Sequence, residues 1–373
     1  MLPDSTDVFV IGGGPAGLAA AIAARQQGFR VIVADGARPP IDKPCGEALM
    51  PDATAALEQL GVVVPVAEAW PLCGARFFSS GLSAEASFPS GCYGISVRRT
   101  VLHRIMTERA ADLGVHLLWQ SVVTGISRDE VRLGNRGIRA RWIVGADGAN
   151  SRVRRWAHLE AHSRTHLRYS FRQHFRAARW TNHLEIYWGE HSQAYCTGAS
   201  DEQVCVAVAS CDPGLRLAQA LAAFPELNAR LRGAQTVSAE RGSVTANRKL
   251  RNVWRGNVAL IGDASGTVDA ITGEGLGLSF RQAAVLAQCL RSGNLTRYQG
   301  AHRRLARRPL MMARLMLMLN GRPKLQRHAL QLFRRRPQVF RKLLALHVGS
   351  LSPFDVALEG ITLRWQAWTA EPE

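Results

Sequence analysis

A glycine-rich turn set between a short apolar strand and an alanine-rich helix constrains this chain more than any other feature. Residues 7–11 read as an apolar strand, Gly12-Gly13-Gly14-Pro15-Ala16-Gly17 follows, and residues 18–24 are a run of Ala, Leu and Ile that reads as a helix. Gly28 ends that helix, and residues 30–34 form a second apolar strand closing on Asp35. This is a complete βαβ opening. Gly12, Gly14 and Gly17 stand at GxGxxG spacing after a strand and at the start of a helix, with an acid about 20 positions further on. Gly12 permits the tight turn, Gly14 lets the backbone approach a pyrophosphate, and Gly17 lets the helix pack closely. The helix N-terminus, with Pro15 and Ala16 in its first turn, offers free amides and a positive dipole end to phosphates. The carboxylate of Asp35 is suited to accept a hydrogen bond from an adenosine ribose, and an acid there favours a ribose with free hydroxyls.

The rest of the chain reads as an α/β protein of more than one domain, since 373 residues exceed the usual size of one compact unit. Residues 100–113 read as an amphipathic helix, residues 115–119 and 121–126 as strands, and residues 142–145 as a strand after a hairpin-like stretch ending at Ala140. Residues 74–91 and 169–210 alternate apolar and polar side chains, which predicts an antiparallel sheet inserted into the first domain. Residues 258–261 are another buried strand, and residues 275–290 a helix leaving it. From residue 294 the pattern is helical and basic, with breaks expected at Pro309, at residues 321–323 and at Pro337.

The formal charge of +18 is local: residues 291–342 hold fifteen Lys or Arg and no Asp or Glu. Only four residues of the chain are Lys, so nearly all of this charge is Arg, a bias that genomic base composition accounts for, and the basicity is not read as nucleic-acid binding. Seven cysteines, odd in number and without a CxxC pair or His partners at zinc spacing, read as reduced thiols, and no metal site is expected. No charged leader precedes an apolar stretch and no apolar run is long enough to span a membrane, so a cytoplasmic protein is expected.

Two further motifs decide which dinucleotide binds. Val144-Gly145-Ala146-Asp147-Gly148-Ala149-Asn150-Ser151 and Gly256-Asn257-Val258-Ala259-Leu260-Ile261-Gly262-Asp263-Ala264 resemble the paired Asp-Gly and Gly-Asp motifs of the single-component flavin monooxygenase superfamily, which also holds the geranylgeranyl reductases and flavin halogenases. With the glycine loop, they run in the family order across residues 7 to 290. The resemblance implies FAD as cofactor and a Rossmann-like FAD-binding domain built from residues 1–73, 92–160 and 245–293. It further implies a β-sheet substrate domain from residues 74–91 and 161–244, and leaves residues 294–373 as a basic, mainly helical segment. By the same resemblance Asp263 binds the ribityl chain, Asp147 stands near the cofactor and the nicotinamide route, and Arg99 faces the FAD. Asp147 and Asp263 also suit the plain role of capping turns at strand ends. Val123, Gly273, Glu274, Gly275 and Leu276 complete the expected cofactor contacts, the last four preceding or opening a helix whose N-terminal amides would face the flavin.

The superfamily's branches are matched unevenly. Thr272-Gly273-Glu274-Gly275-Leu276-Gly277 is similar to the reductase T-G-E-G-I, whereas hydroxylases usually carry Asn at the place of Gly277. Lys43-Pro44-Cys45-Gly46-Glu47 is similar to the Pro-Cys-Gly segment of the reductases, which lies beside the isoalloxazine ring; Cys45 and Glu47 are therefore the candidate catalytic residues. Neither the reductase Y-x-W-x-F-P motif nor the halogenase W-x-W-x-I-P is reproduced in Glu185-Ile186-Tyr187-Trp188-Gly189-Glu190. Tyr187, Trp188 and Tyr195 are candidates to line a substrate pocket, against the alternative of plain strand packing. His174 is a candidate acid or base, against the alternative of a satisfied structural histidine.

These observations lead first to an NAD(P)H-dependent monooxygenase that hydroxylates a hydrophobic aromatic or polyketide-like substrate in secondary metabolism. The alternatives are a flavin-dependent reductase of isoprenoid double bonds, and a membrane-associated FAD-binding protein without turnover of its own. The basic segment, with Met311, Met312, Met316 and Met318 among its arginines, suits either peripheral contact with the inner face of a membrane or a helical cover on the flavin domain.

Overall fold

Val8, Phe9 and Val10 are fully buried, so residues 8–11 of the strand Ser5–Ile11 form a continuous apolar run instead of an alternation. That is the mark of a central parallel strand covered on both faces. In the computed structural model, which describes residues 3–160 and 163–352, it pairs in parallel with Val31–Ala34 on one side and Arg136–Gly145 on the other. The sheet runs Trp254–Arg255, Val258–Leu260, Arg136–Gly145, Ser5–Ile11, Val31–Ala34, His116–Leu118. The hairpin of Val123–Ile126 and Glu130–Leu133 folds off Arg136–Gly145, which is one ten-residue strand and not a hairpin arm followed by a separate strand. Gly17 and five alanines among the buried positions of the helix Pro15–Gln26 let it lie close against the sheet and against the helix Gly275–Arg291.

A second sheet runs Gln235–Thr236, Ser163–Arg176, Gln203–Ser210, Ser192–Ser200, His183–Trp188, Gly74–Ser79, Leu82–Ser87, with Arg241–Lys249 paired to Ser163–Arg176. The two alternating stretches of the sequence meet in it. It differs from the expected antiparallel sheet at one seam: His183–Trp188 and Gly74–Ser79 are parallel, because two separate parts of the chain enter there in the same direction.

Three helices follow, Leu295–Leu319, Pro323–Arg335 and Pro337–His347. Pro323 and Pro337 each open a helix, where a missing N–H costs nothing. The break expected at Pro309 does not occur. Pro309 is buried inside the helix Leu295–Leu319, and docking of Tyr298, Met312, Ala313 and Leu319 on the protein outweighs the single backbone bond lost. No helix among the described residues is long and apolar enough to cross a membrane. Residues 353–373 of the C-terminal segment lie outside the described residues.

Candidate functional site

The glycine turn is closed on one side and open on the other. A methyl group added at Gly12 would meet the Ala146 carbonyl oxygen at 2.4 Å, and one at Gly17 would meet the Gly12 oxygen at 1.8 Å. Gly13 is as constrained, since a methyl there would strike the Trp119 ring at 2.3 Å. Gly14, in contrast, has nothing within 4 Å of that position. It is also the N-cap of the helix Pro15–Gln26 and has no side chain to cap it, so the first-turn amides are left for another acceptor. Asp35, at the end of its strand, accepts from the Gly13 N–H at 2.7 Å through one carboxylate oxygen and from the Ala37 N–H at 2.7 Å through the other. The turn has a further anchor that the sequence did not reveal. His103, fully buried on the helix Arg99–Asp112, lies 2.9 Å from the Gly13 carbonyl; the carbonyl only accepts, so Nε2 carries the proton. Burial pushes this imidazole below its ordinary range, which keeps it neutral.

Beyond the turn, Asp263 follows the strand Val258–Leu260 in a short turn Gly262–Ser265. The residue is exposed, yet burial among surrounding protein pushes its carboxyl's pKa up against the pull of Lys43 and Arg99. A group that water reaches while protein surrounds it lies on the floor of a cleft. Cys45 is in the same situation: half-exposed, with its thiol pushed up by burial against the pull of Arg99. Gly46, Gly273 and Gly275 also face open space where a side chain would be. Open glycines, uncapped amides, an acid at the ribose position and a second acid on the cleft floor together fit FAD. Gly12, Gly14, Ala16 and Gly17 would hold the pyrophosphate, Asp35 the adenosine ribose and Asp263 the ribityl hydroxyls.

One face of the second sheet roofs this region. Side chains alternate across a strand, so Arg168, Arg172 and His174 share that face with Tyr195 and Thr197 and with Cys205. Each of the six reaches into the flavin-binding half. Arg168 pairs with Asp269 at 2.7 Å, Arg172 with Asp42, and His174 with Glu47 at 2.9 Å. The Tyr195 hydroxyl donates to the Ile271 carbonyl at 2.7 Å and the Thr197 hydroxyl to the Gly46 carbonyl at 3.0 Å, while the Cys205 thiol faces the Cys45 carbonyl at 3.7 Å. His174 is thus a buried, fully partnered residue and not a free acid or base.

The other sequence-selected residues fall in varied places. Arg99 is buried, with its backbone N–H donating to Glu47 at 3.1 Å. The carboxylate of Asp147 accepts from the Ser151 hydroxyl at 2.5 Å and from the amides of Arg152 and Val153, capping the helix Arg152–Trp156. Val123 is part of the hydrophobic core. Glu274 is buried and turned towards the C-terminal helices, 3.7 Å from Arg308 and 3.6 Å from His347, and Leu276 packs against the core beside it. Pro15 is buried, and Ala16 packs against Gly262. Gly277 permits the helix Gly275–Arg291 to press on Ala53, which an added Cβ would meet at 2.8 Å; this explains the absence of Asn there. Tyr187 and Trp188 point to opposite faces of their strand. Tyr187 stacks on Phe78 and donates to Glu185 at 2.6 Å in the core on the far side of the sheet, while Trp188 packs with Phe77 in the cluster that includes Leu319 and Phe340.

Relatives divide between two chemistries. The chain is 29% identical over 322 residues to menaquinone reductase of Mycobacterium tuberculosis, covering 79% of this chain and 78% of that one. It is 28% identical to digeranylgeranylglycerophospholipid reductase 1 of Methanothermobacter thermautotrophicus, with 81% and 82% covered, and 26% identical to para-nitrophenol 4-monooxygenase of Pseudomonas sp. strain WBC-3, with 76% and 77% covered. The fold is similar to that of a flavoprotein/dehydrogenase from Cytophaga hutchinsonii, with a TM-score of 0.80, 18% identity and coverage of 92% and 93%. Residues 5–293 match the FAD binding domain family, and the chain belongs to that family of FAD-dependent oxidoreductases.

Proposed function

We propose that this protein is a flavin-dependent reductase of carbon–carbon double bonds in lipophilic, isoprenoid-bearing molecules, with NAD(P)H as the source of electrons. The observation that carries this reading is the loop Cys45-Gly46-Glu47, tied by the roof of the second sheet above the cleft, with a thiol that burial holds in its protonated form. Two relatives matched over most of the chain are named for reducing menaquinone and digeranylgeranylglycerophospholipid, molecules that bear isoprenoid chains.

FAD, when bound, supplies the hydride-transfer chemistry. Saturating a double bond also requires a proton at the second carbon. A thiol kept protonated at neutral pH is a proton source there, and the half-exposed loop lets Cys45 regain the proton from water. The ladder of roof contacts keeps that loop and the turn before Gly273 at fixed positions, which holds an apolar substrate between them and limits water.

Hydroxylation is the second reading, and the relation to para-nitrophenol 4-monooxygenase is what favours it. The test is to incubate FAD-loaded protein and NAD(P)H with polyprenyl compounds, menaquinone and phenols, with and without dioxygen, and to weigh the products. A product heavier by two hydrogens and formed anaerobically is expected. A product heavier by one oxygen and formed only in air would establish hydroxylation instead, and failure to oxidise NAD(P)H with any compound would favour a binding protein.

Peripheral contact with an anionic membrane is part of this proposal. Thirteen of the fifteen Lys and Arg in residues 291–342 are exposed, and so are Leu310, Met318, Leu325 and Leu332 among them. A basic surface interleaved with exposed apolar side chains suits lipid better than nucleic acid.

A further inference from the structure

Three consecutive loop residues are each held by a different strand of the roof. His174 is paired directly with Cys205, and Cys205 with Thr197, so the three side chains stand in a row across neighbouring strands. Above them lie the Glu47 carboxylate, 2.9 Å from His174 Nε2, the Cys45 carbonyl, 3.7 Å from the Cys205 thiol, and the Gly46 carbonyl, 3.0 Å from the Thr197 hydroxyl.

The histidine is preset for this task. Arg172 Nη1 lies 3.2 Å from His174 Nδ1, and a guanidinium only donates; Nδ1 therefore accepts and the ring proton sits on Nε2, aimed at Glu47. Asp42 holds Arg172 in turn, and the Ser238 hydroxyl is 3.0 Å from the same Nδ1. On its other side Glu47 accepts from the Arg99 N–H at 3.1 Å, and its own N–H donates to the Cys45 sulfur at 3.3 Å. Glu47 also adopts φ of +60°, a left-handed conformation that a side-chain-bearing residue keeps only where its surroundings impose it. Both carboxylate oxygens are thus used by the protein, and the residue is 2% exposed.

We propose that Glu47 and His174 are positioning residues for Cys45, fixing the direction of its thiol towards the cleft and bracing Arg99 beside it. This rests on the proposed function for what the thiol does, but not for where it is held. Glu47 is consequently not a proton donor to substrate.

The test uses the full-length protein and follows alkylation of Cys45 by N-ethylmaleimide, read by peptide mass spectrometry, with and without FAD, together with the flavin absorption band. Glycine accepts φ of +60°, so Glu47→Gly keeps the backbone while deleting the carboxylate. Release of the loop is expected to raise the Cys45 alkylation rate about tenfold and to shift the flavin band. His174→Ala should reproduce both effects, and Glu47→Gln, which retains an acceptor for the Arg99 N–H, should give a smaller one. In turnover, kcat should fall with KM little changed. Should Glu47→Gly fail to fold, Thr197→Val removes only the bond to Gly46, and a smaller rise in alkylation is expected.

Wild-type alkylation and an unshifted flavin band in a folded Glu47→Gly protein would overturn the proposal. So would a stoichiometric divalent metal in the purified protein, because the ligand atoms of Glu47, His174 and Cys205 lie within 4.8 Å of one another and a bound ion would replace the hydrogen bond. Absence of the reductase reaction in the parent protein, with Cys45 alkylation still raised by Glu47→Gly and His174→Ala, would count against the proposed function and leave the positioning pair intact.

Discussion

Arg168 and Asp269 meet inside the protein, Nε to Oδ1 at 2.7 Å, with side chains 5% and 3% exposed. The same carboxylate accepts from the Ile271 N–H at 3.1 Å and the Asn247 side-chain amide at 3.2 Å, so one acid ties the roof to the turn before Gly273. Removing only the acid leaves a guanidinium buried without its counter-charge. Asp269→Ala is therefore expected to lower stability by about 3–5 kcal/mol. Replacing both residues, Arg168→Met with Asp269→Ala, should recover much of the loss in urea denaturation. A double variant as unstable as the single one would mean that the bonds to Ile271 and Asn247, and not the ion pair, set the cost.

Two glycines of the same motif should fail in different ways. Gly17→Ala forces a methyl group onto the Gly12 oxygen and should impair folding itself. Gly14→Ala meets no protein atom, so its thermal melt without cofactor should match the parent, while FAD affinity drops about a hundredfold, the range of a few kcal/mol. Equilibrium dialysis against FAD, beside melting curves, separates the two cases. Equal FAD affinity in Gly14→Ala and the parent would remove the pyrophosphate from this turn.

Stability should also fall on mild acidification through His302. Burial, with Arg303 adding to it, pushes this imidazole down to about 4, and its Nε2 lies 2.9 Å from the Ser265 hydroxyl in the turn that carries Asp263. The unfolded chain takes up the proton near the ordinary value of 6.5, ahead of the folded one. The contribution is therefore complete above pH 6.5 and is lost progressively between there and about pH 4, at most about 3 kcal/mol. His302→Gln should flatten this limb of the stability profile, and an unchanged slope would assign it to other groups.

The basic helices give a prediction that needs no substrate. The protein should sediment with vesicles containing anionic phospholipid, not with purely zwitterionic ones, and release at high salt. Exchanging Arg334, Arg335 and Arg336 for Glu should abolish binding, since each basic residue contributes about 1 kcal/mol at such a surface. Binding that ignores lipid charge would point to the exposed leucines alone.

The parts of the site written in local chemistry were readable in advance. Glycine spacing, an acid at a strand end and the paired Asp-Gly and Gly-Asp motifs each report on a few neighbouring residues, so the glycine turn and the strand-end turn that carries Asp263 are legible from local sequence. What joins distant segments was not. Nothing near Gly13 announces that Trp119 and His103 close on it from 90 or more positions away. Tyr187 and Trp188 carry the same aromatic signal, but strand alternation sends them to separate cores, and only the register decides which face meets the cleft. The C-terminal segment was legible as basic and helical; that Arg308 turns inward to Asp52 while Arg304, Arg307 and Arg314 stay in water depends on docking.

The parallel seam between His183–Trp188 and Gly74–Ser79 imposes an order on how the protein is made. A ribosome delivers the early hairpin long before its partner exists, so the hairpin waits with an open edge until more than a hundred further residues have emerged. The flavin sheet waits longer still, because Val258–Leu260 pairs with Arg136–Gly145 only near the end of the family domain. A chain released before that strand holds every strand of the roof but no finished floor, so the surface that would take the cofactor is completed late in synthesis.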